Sequence, residues 1–511
     1  MQGSGDGLVL TGLERKTWTS HPAFVVAILA LFGAVIRGQV LGYPLIHIDE
    51  QFYLLVGDAM LHGSRPFIDV WDRKPIGLFL IYALSRLMGG DGIWQYQLLA
   101  LLSVTATAYV ISRIASRFAS PMSALAAAAL YIVWLDIGSG SGGQAPVFYN
   151  LPMAVAALFI VRSIEQPVGS RMPRLMRSGS MAMLLVGLAM QIKYTAVFEG
   201  AGFGLALLWF ARGEGARPSQ IIGAGAVWIS CAILPTAIAL LTYAAIGGLD
   251  AFMFANFYSI FQRAAATAGE IPLRLARLCA FVAPLAFLGL APTVKRADAS
   301  ALLVRRFVKI WFGVACFGVL AFGTYFRHYA LPIFLPGAIA SATAFDSTAR
   351  IRRLAFGILA IAIIIGQLML AELRRTEGSP DMLNRLVIAM QGHPGCLFVH
   401  KGHPILYLMS NRCRLSRYWM PAHFSKANES GALGINIANE TRRILSLKPG
   451  LIVTTLPVRP SDNLETRAIM EAGIARDYQL VYQERAGRTV HQLFALRDAG
   501  GKAAASIPRP N

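Results

Sequence analysis

Apolar stretches of about 20 residues recur along this chain, and each is long enough to cross the hydrocarbon core of a bilayer as a helix. They fall at about 22–42, 93–112, 121–138, 148–164, 179–196, 197–211, 220–246, 272–292, 310–326, 329–346 and 355–372. In hydrocarbon every backbone polar group must find its partner within the protein, so a chain of this kind folds as a helical bundle or a closed barrel. Barrel strands alternate apolar and polar residues, whereas these stretches are continuously apolar and separated by short arginine-rich connections. The pattern predicts a polytopic α-helical membrane protein with about eleven transmembrane helices. Composition agrees: 14% of the 511 residues are charged, against about a quarter in a soluble chain.

The net charge of +20 would suit a nucleic-acid partner, but it is parcelled into loops between apolar stretches, where it sets topology and meets anionic lipid. Nucleic acid is therefore excluded as a partner, and membrane lipids are expected ones. With the N-terminus in the cytoplasm, the basic connections at 113–117, 162–177, 212–217, 295–309 and 350–353 all lie inside. They include Arg171, Arg174 and Arg177, Lys295 and Arg296, and Arg350, Arg352 and Arg353. The positive-inside rule is then obeyed at each one. Segments 43–92, 139–147, 247–271 and everything after about 373 fall outside. Segment 75–88 is too short to span comfortably, and reading it as juxtamembrane preserves the charge rule. The first apolar run follows Arg15 and Lys16 but lacks a small-residue cleavage site, so it is expected to remain as a span. The expected location is a bacterial inner membrane.

From about 373 hydrophobicity drops and strand-like runs appear at 396–400, 451–455 and 491–496, alternating with helix-like segments at 439–447 and 462–473. This predicts three regions: a transmembrane domain over 1–372, a periplasmic α/β domain over 373–499, and a disordered tail over 500–511. Of five cysteines, Cys231, Cys279 and Cys316 lie in apolar stretches and suit packing. Cys396 and Cys413 lie in the exported domain, where a disulfide is plausible. No internal repeat, nucleotide-binding loop or serine-hydrolase elbow is present.

The first external loop concentrates chemistry. Asp49 and Glu50 follow the first span directly, then come Tyr53, Gly63, Pro66, Asp69, Asp72, Lys74 and Pro75. Carboxylates at a membrane interface are costly unless paired or useful, although a solvated helix start would also account for Asp49. Neighbouring carboxylates project differently, so one can accept a proton while the other orients the site or binds a cation. At the expected external ends of later spans stand Lys193, Arg327 and His328. Such cations can hold a phosphate leaving group, while snorkelling is the competing account for Lys193 and Arg327. The glycine-rich segment 140–143 could let backbone approach a sugar or phosphate, or could serve flexibility alone.

This ordered set resembles the GT-C superfamily of integral-membrane glycosyltransferases, in the branch of the protein O-mannosyltransferases and the aminoarabinose and galacturonic-acid lipid A transferases. The resemblance rests on Asp49-Glu50, Tyr53, Gly63 with Pro66, Asp69 and Lys74-Pro75. It continues in Gly187 to Tyr194 with Lys193, in Arg327-His328-Tyr329 with Pro332 and Pro336, and in the segments 404–410, 416–418 and 447–453. The family's Lys-Pro-Pro is here Lys74-Pro75-Ile76, a mild departure. The resemblance implies a GT-C fold and inverting transfer of a sugar from a polyprenyl-phosphate donor to a lipid, glycan or protein acceptor. It implies Asp49 as base with Glu50 assisting, and Lys74, Lys193, Arg327, His328, Tyr329, Asp69 and Tyr53 as binding residues. A divalent ion on Asp49 and Glu50 would be compatible, but no complete ligand set is legible. The rival reading is a transporter or flippase of a lipid-linked substrate, which would favour internal repeats and charges buried in mid-span.

Overall fold

The computed structural model describes residues 21–264, 269–292, 298–323 and 325–497. Arg15, Lys16, Lys295, Arg296 and the tail from Gly500 lie outside the described residues.

The N-terminal portion is helical: α1 (Pro22–Ile36), α2 (Ile48–Leu61), α3 (Ile76–Leu87), α4 (Ile93–Ala115), α5 (Pro121–Ile137), α6 (Ala145–Ile164) and α7 (Met172–Met190). There follow α8 (Ala196–Gly213), α9 (Pro218–Ala245), α10 (Leu249–Met253), α11 (Ile271–Gly289), α12 (Ala299–Phe322), α13 (Leu331–Phe345) and α14 (Ala349–Glu377). By length and apolarity α4, α6, α9, α11, Arg327–Phe345 and Ala349–Met390 can each cross a bilayer, and α1, α3 and α5 are shorter apolar helices. The protein is an integral membrane protein. Its outer helices keep large apolar side chains exposed, including Ile229, Leu241, Phe287 and Ile364, as a lipid-facing surface requires.

Boundaries move where polar residues join helix ends. α12 begins at Ala299, so Arg305, Arg306 and Lys309, expected in a loop, lie on the helix. The Asp298 carboxylate caps its start by accepting from the Ala301 N–H, and long basic side chains can sit on a helix end while reaching water. α14 likewise starts at Ala349 and runs to Glu377, past the expected domain boundary at 373.

Between α1 and α4, helices α2 and α3 form a short pair. Gly57 makes their approach possible: a Cβ there would lie 2.6 Å from the Ala83 backbone nitrogen. Pro75 at the N-cap starts α3 with no side-chain cap bond. The aromatic segment after α9 continues from α10 through a π-helical turn, Phe254–Tyr258, and a 3-10 turn, Ser259–Gln262. Its Phe252 stacks on Tyr243 with ring centroids 5.0 Å apart.

The C-terminal portion comprises α15 (Pro380–Met390), β1 (Leu397–Val399), α16 (Ile405–Met409), α17 (Ala422–Ser425), α18 (Ile437–Ser446), β2 (Leu451–Leu456), α19 (Leu464–Asp477), β3 (Tyr478–Ala486) and β4 (Thr489–Leu496). The sheet order is β1-β2-β4-β3. β1 runs parallel to β2, with Leu397 opposite Leu451, and the other pairings are antiparallel. Central β2 is buried along nearly its whole length, whereas edge strand β3 mixes buried and exposed positions; a covered central strand needs a continuous apolar run. Cys396 and Cys413 are joined by a disulfide that ties the start of β1 to the segment after α16.

Trp71, in the loop between α2 and α3, belongs to the core of this C-terminal portion. It is 1% exposed and packs in one cluster with Phe398, Tyr418, Phe424, Ile452 and Met470. Its backbone N–H donates to the Arg417 carbonyl at 2.9 Å. Beside it, Glu429 pairs with both Arg73 and Arg263 at 2.8 Å. The loop is thus held on three sides, by α2, α3 and the α/β portion.

Candidate active site

The acidic pair sits at the start of α2. His47 is the N-cap, and its Nδ1 accepts from the Asp49 N–H at 3.2 Å. Helical geometry turns successive side chains about 100° apart, so Asp49 and Glu50 enter different surroundings. The Asp49 side chain is 20% exposed, whereas Glu50 is fully buried. Asp49 also lies in the first helical turn, where the backbone dipole favours an anion.

Around Asp49 the structure gathers residues from three separate segments. Lys74 comes from the loop before α3, Lys193 from the turn between α7 and α8, and His328 and Tyr329 from the turn before α13. The His47 and His328 rings meet edge to face at 5.4 Å, and His328 and Tyr329 at 4.7 Å. Lys193 Nζ lies 4.5 Å from the centre of the Tyr329 ring, and Lys74 Nζ lies 5.6 Å from that of Tyr53. Burial raises the Asp49 carboxyl, but His47, Lys74, His328 and Lys193 outweigh it and hold the group down at about 2.

The two ammonium groups differ. Burial works against the charge on Lys74, yet the Asp72 and Asp49 carboxylates more than offset it, so its pKa rises. Lys193, in the turn outside the helices, is brought down to about 7 by burial and by repulsion from Lys74, with Asp49 alone opposing. Among the described residues Lys193 makes no ion pair. It lines a narrow cleft with Tyr149, Thr195, Phe198, Glu199 and Tyr329. A cation that is half-buried, poorly compensated and next to a cleft is arranged to receive an anion.

Not every residue expected here arrives. Asp69 turns away to Arg65, which donates to it from the backbone at 2.8 Å and the side chain at 2.9 Å. Arg327 is exposed and its guanidinium sits 5.4 Å from the centre of the Phe281 ring. The arginine stacks on an aromatic face while its neighbour His328 points inward. Asp69 lines instead an open cavity of about 640 Å³ with Arg414, Arg417, Trp419, Glu440 and Arg443.

Sequence reading gave no role to His47, Asp72 or Tyr96. Asp72 is buried, and its Oδ1 accepts from the Lys74 N–H at 2.7 Å, which fixes the turn that presents Lys74. Tyr96 donates to Glu50 Oε2 at 3.2 Å. Adjacency to Asp49 and Lys74 could have flagged His47 and Asp72; nothing local marks Tyr96, which lies on α4. As for a divalent ion, the residues do not fit one. Among the described residues no three His, Cys, Asp or Glu side chains converge as ligands, and ammonium groups crowd Asp49 instead.

These features define a polytopic membrane protein with the GT-C fold: a helical bundle, a juxtamembrane helix pair carrying an acidic dyad, and a C-terminal α/β portion seated upon it. The fold matches that of ArnT from Cupriavidus metallidurans in the apo state, at 13% identity over 92% of this chain and 97% of that one, with a TM-score of 0.58. It equally matches ArnT from the same organism bound to undecaprenyl phosphate, at 13% identity over 94% and 99% of the two chains, with a TM-score of 0.59. No family model and no curated protein matches the chain.

Proposed function

We propose that this protein is a glycosyltransferase that moves a sugar from a polyprenyl-phosphate donor to an acceptor hydroxyl on the periplasmic side of the inner membrane. The observation that carries this reading is the cluster around Asp49, in which the His47 and His328 rings meet and a half-buried Lys193, lacking an ion-pair partner among the described residues, lies over the Tyr329 ring. A polyprenyl-phosphate sugar has the matching layout, with its lipid in the bilayer and its phosphate at the interface. A solved structure of the same fold binds undecaprenyl phosphate, which supports this donor class.

In the proposed reaction the acceptor oxygen attacks the anomeric carbon as the bond from that carbon to the phosphate oxygen breaks. Asp49 takes the hydroxyl proton, and the polyprenyl phosphate leaves with its new negative charge against Lys193 and Lys74. A single displacement inverts the anomeric centre. A carboxylate held near 2 is a weak base at rest, so proton transfer comes late, when the forming bond has made the hydroxyl acidic. Before that point Asp49 orients the hydroxyl. Tyr53, His328 and Tyr329 shape the phosphate pocket, and the geometry gives Arg327 and Asp69 no direct part. The basic loops support a cytoplasmic N-terminus and a periplasmic α/β domain over 373–499.

The test is transfer by purified protein in lipid from a panel of polyprenyl-phosphate sugars to lipid, glycan and protein acceptors. Product with inverted configuration supports the reading. Absence of transfer across the panel, with the protein folded, would remove it.

A further inference from the structure

Arg37 caps the C-terminal end of α1 and is 1% exposed. Its guanidinium grips the loop after α5 through three successive carbonyls: Nη2 donates to Gly140 at 2.7 Å and to Gly142 at 2.8 Å, and Nε to Ser141 at 2.9 Å. Gly142 is held by its carbonyl on one side, and on the other its missing Cβ makes room for the Glu50 carboxylate, with which a methyl group would collide. The backbone of the next residue, Gly143, acts electrostatically on Glu50, and its carbonyl accepts from the Tyr82 hydroxyl at 2.8 Å. The glycine-rich loop, read from sequence as either an approach for a sugar or phosphate or a flexible connection, is packed against a carboxylate of the protein itself.

Charge completes the arrangement. Asp136 and Glu50 both act electrostatically on Arg37. Arg37 Nη1, both Asp136 oxygens and Glu50 Oε1 are buried without a hydrogen-bond partner among the described residues. The guanidinium is therefore a compensating cation for two carboxylates that burial would otherwise disfavour. Only a planar fork of donors fits consecutive carbonyls in this way; a lysine ammonium does not.

We propose that Arg37 is a positioning residue that, through the Gly140–Gly143 loop, fixes the Glu50 carboxylate beside Asp49. This rests on the reading of the acidic pair as the catalytic dyad. Arg37 touches no substrate; it acts through Glu50.

The test uses the full chain in lipid nanodiscs, with Arg37→Met, Arg37→Lys and Gly142→Ala. One arm is independent of activity. With Cys231, Cys279 and Cys316 replaced by Ala, a thiol introduced as Ser141→Cys is labelled by a small maleimide. The grip of Arg37 protects it, and Arg37→Met should speed labelling about tenfold or more by freeing the local opening. The second arm is kinetic: Arg37→Met and Gly142→Ala should each lower kcat by about tenfold or more, leave KM for the donor unchanged, and lower transfer no further when Glu50→Gln is already present, since residues acting as a unit are non-additive. Gly142→Ala leaves Arg37 in place, so it carries the kinetic arm if the Arg37 variants do not fold. Labelling unaffected by Arg37→Met, or losses that multiply with Glu50→Gln, would overturn the proposal. A wild-type protein without transferase activity would remove the function proposed above, and the labelling arm would still decide whether Arg37 holds the loop.

Discussion

Lys193 and Lys74 show how surroundings assign different tasks to one residue type. Lys74 has two carboxylates for company and stays charged; Lys193 has one and is held near 7. A bound phosphate would restore the proton to Lys193, so donor binding takes up a proton wherever free Lys193 has lost it. Donor affinity should be constant below pH 7 and fall as pH rises through about 7, by up to about tenfold per unit. A guanidinium at this position would stay charged, so Lys193→Arg should abolish the slope, while Lys193→Ala should weaken binding at every pH. Titration of the binding of a polyprenyl-phosphate sugar, a phosphodiester with no ionisation of its own in this range, by calorimetry between pH 6 and 9 measures this, and an affinity independent of pH contradicts it. The opposite sign holds for Asp49: its depressed value contributes stability above the ordinary carboxylate range that is lost only as pH falls through about 2, so activity near neutrality should show no acid limb from it.

At the scale of elements, the loop between α2 and α3 joins the two portions, and the disulfide staples the α/β portion internally. Trp71 inserts a large aromatic into the α/β core, and removing such a buried side chain costs about 3–5 kcal/mol. Trp71→Ala should therefore loosen the α/β portion from the loop, seen as faster proteolysis between 373 and 400 while the helical bundle stays folded; an unchanged cleavage pattern counts against the docking role. The disulfide closes a loop with a sequence separation of 17, which is worth about 3 kcal/mol. Cys396→Ala should lower the melting temperature and spare donor affinity. Equal melting of the variant and the reduced and oxidised wild type would show that the bond contributes nothing. These elements were unevenly legible. The spans and β1 announce themselves by apolar runs, and β2 and β4 by runs rich in apolar and β-branched residues. β3, with polar and charged residues such as Gln479, Gln483, Glu484 and Arg485, does not, because an edge strand need not be apolar throughout. The insertion of Trp71 depends on tertiary contact with residues far along the chain, such as Phe398 and Met470, which no local pattern encodes.

For the whole molecule, the bundle and the acidic helix pair converge on Asp49, and the α/β cap packs against that helix pair. The cap reaches the acidic helix itself: the Gln51 side chain meets His403 Nδ1 at 3.3 Å, and the Phe52 ring meets that of His423 at 6.5 Å. Asp49, Lys74 and Lys193 were legible as a site because their segments sit at span ends on one expected face. Arg37, Tyr96 and the seat of Glu50 were not, since burial among helices is invisible in a one-dimensional apolar run. Orientation is testable separately. Reporter fusions after residues 60 and 390 should read as periplasmic and one near 172 as cytoplasmic, and a cytoplasmic signal at 390 would invert the arrangement proposed here.

The central claim is that Asp49 takes the acceptor's proton at a site built to receive a lipid-linked phosphate. Single-turnover transfer from a preloaded polyprenyl-phosphate sugar, compared between wild type and Asp49→Asn, tests it most directly, because loading separates donor binding from the chemical step. Asparagine keeps the size and removes the base, so the account predicts normal loading with a transfer rate lower by about 10²–10⁴-fold. A well-folded Asp49→Asn protein that loads donor and transfers at near the wild-type rate would contradict the account.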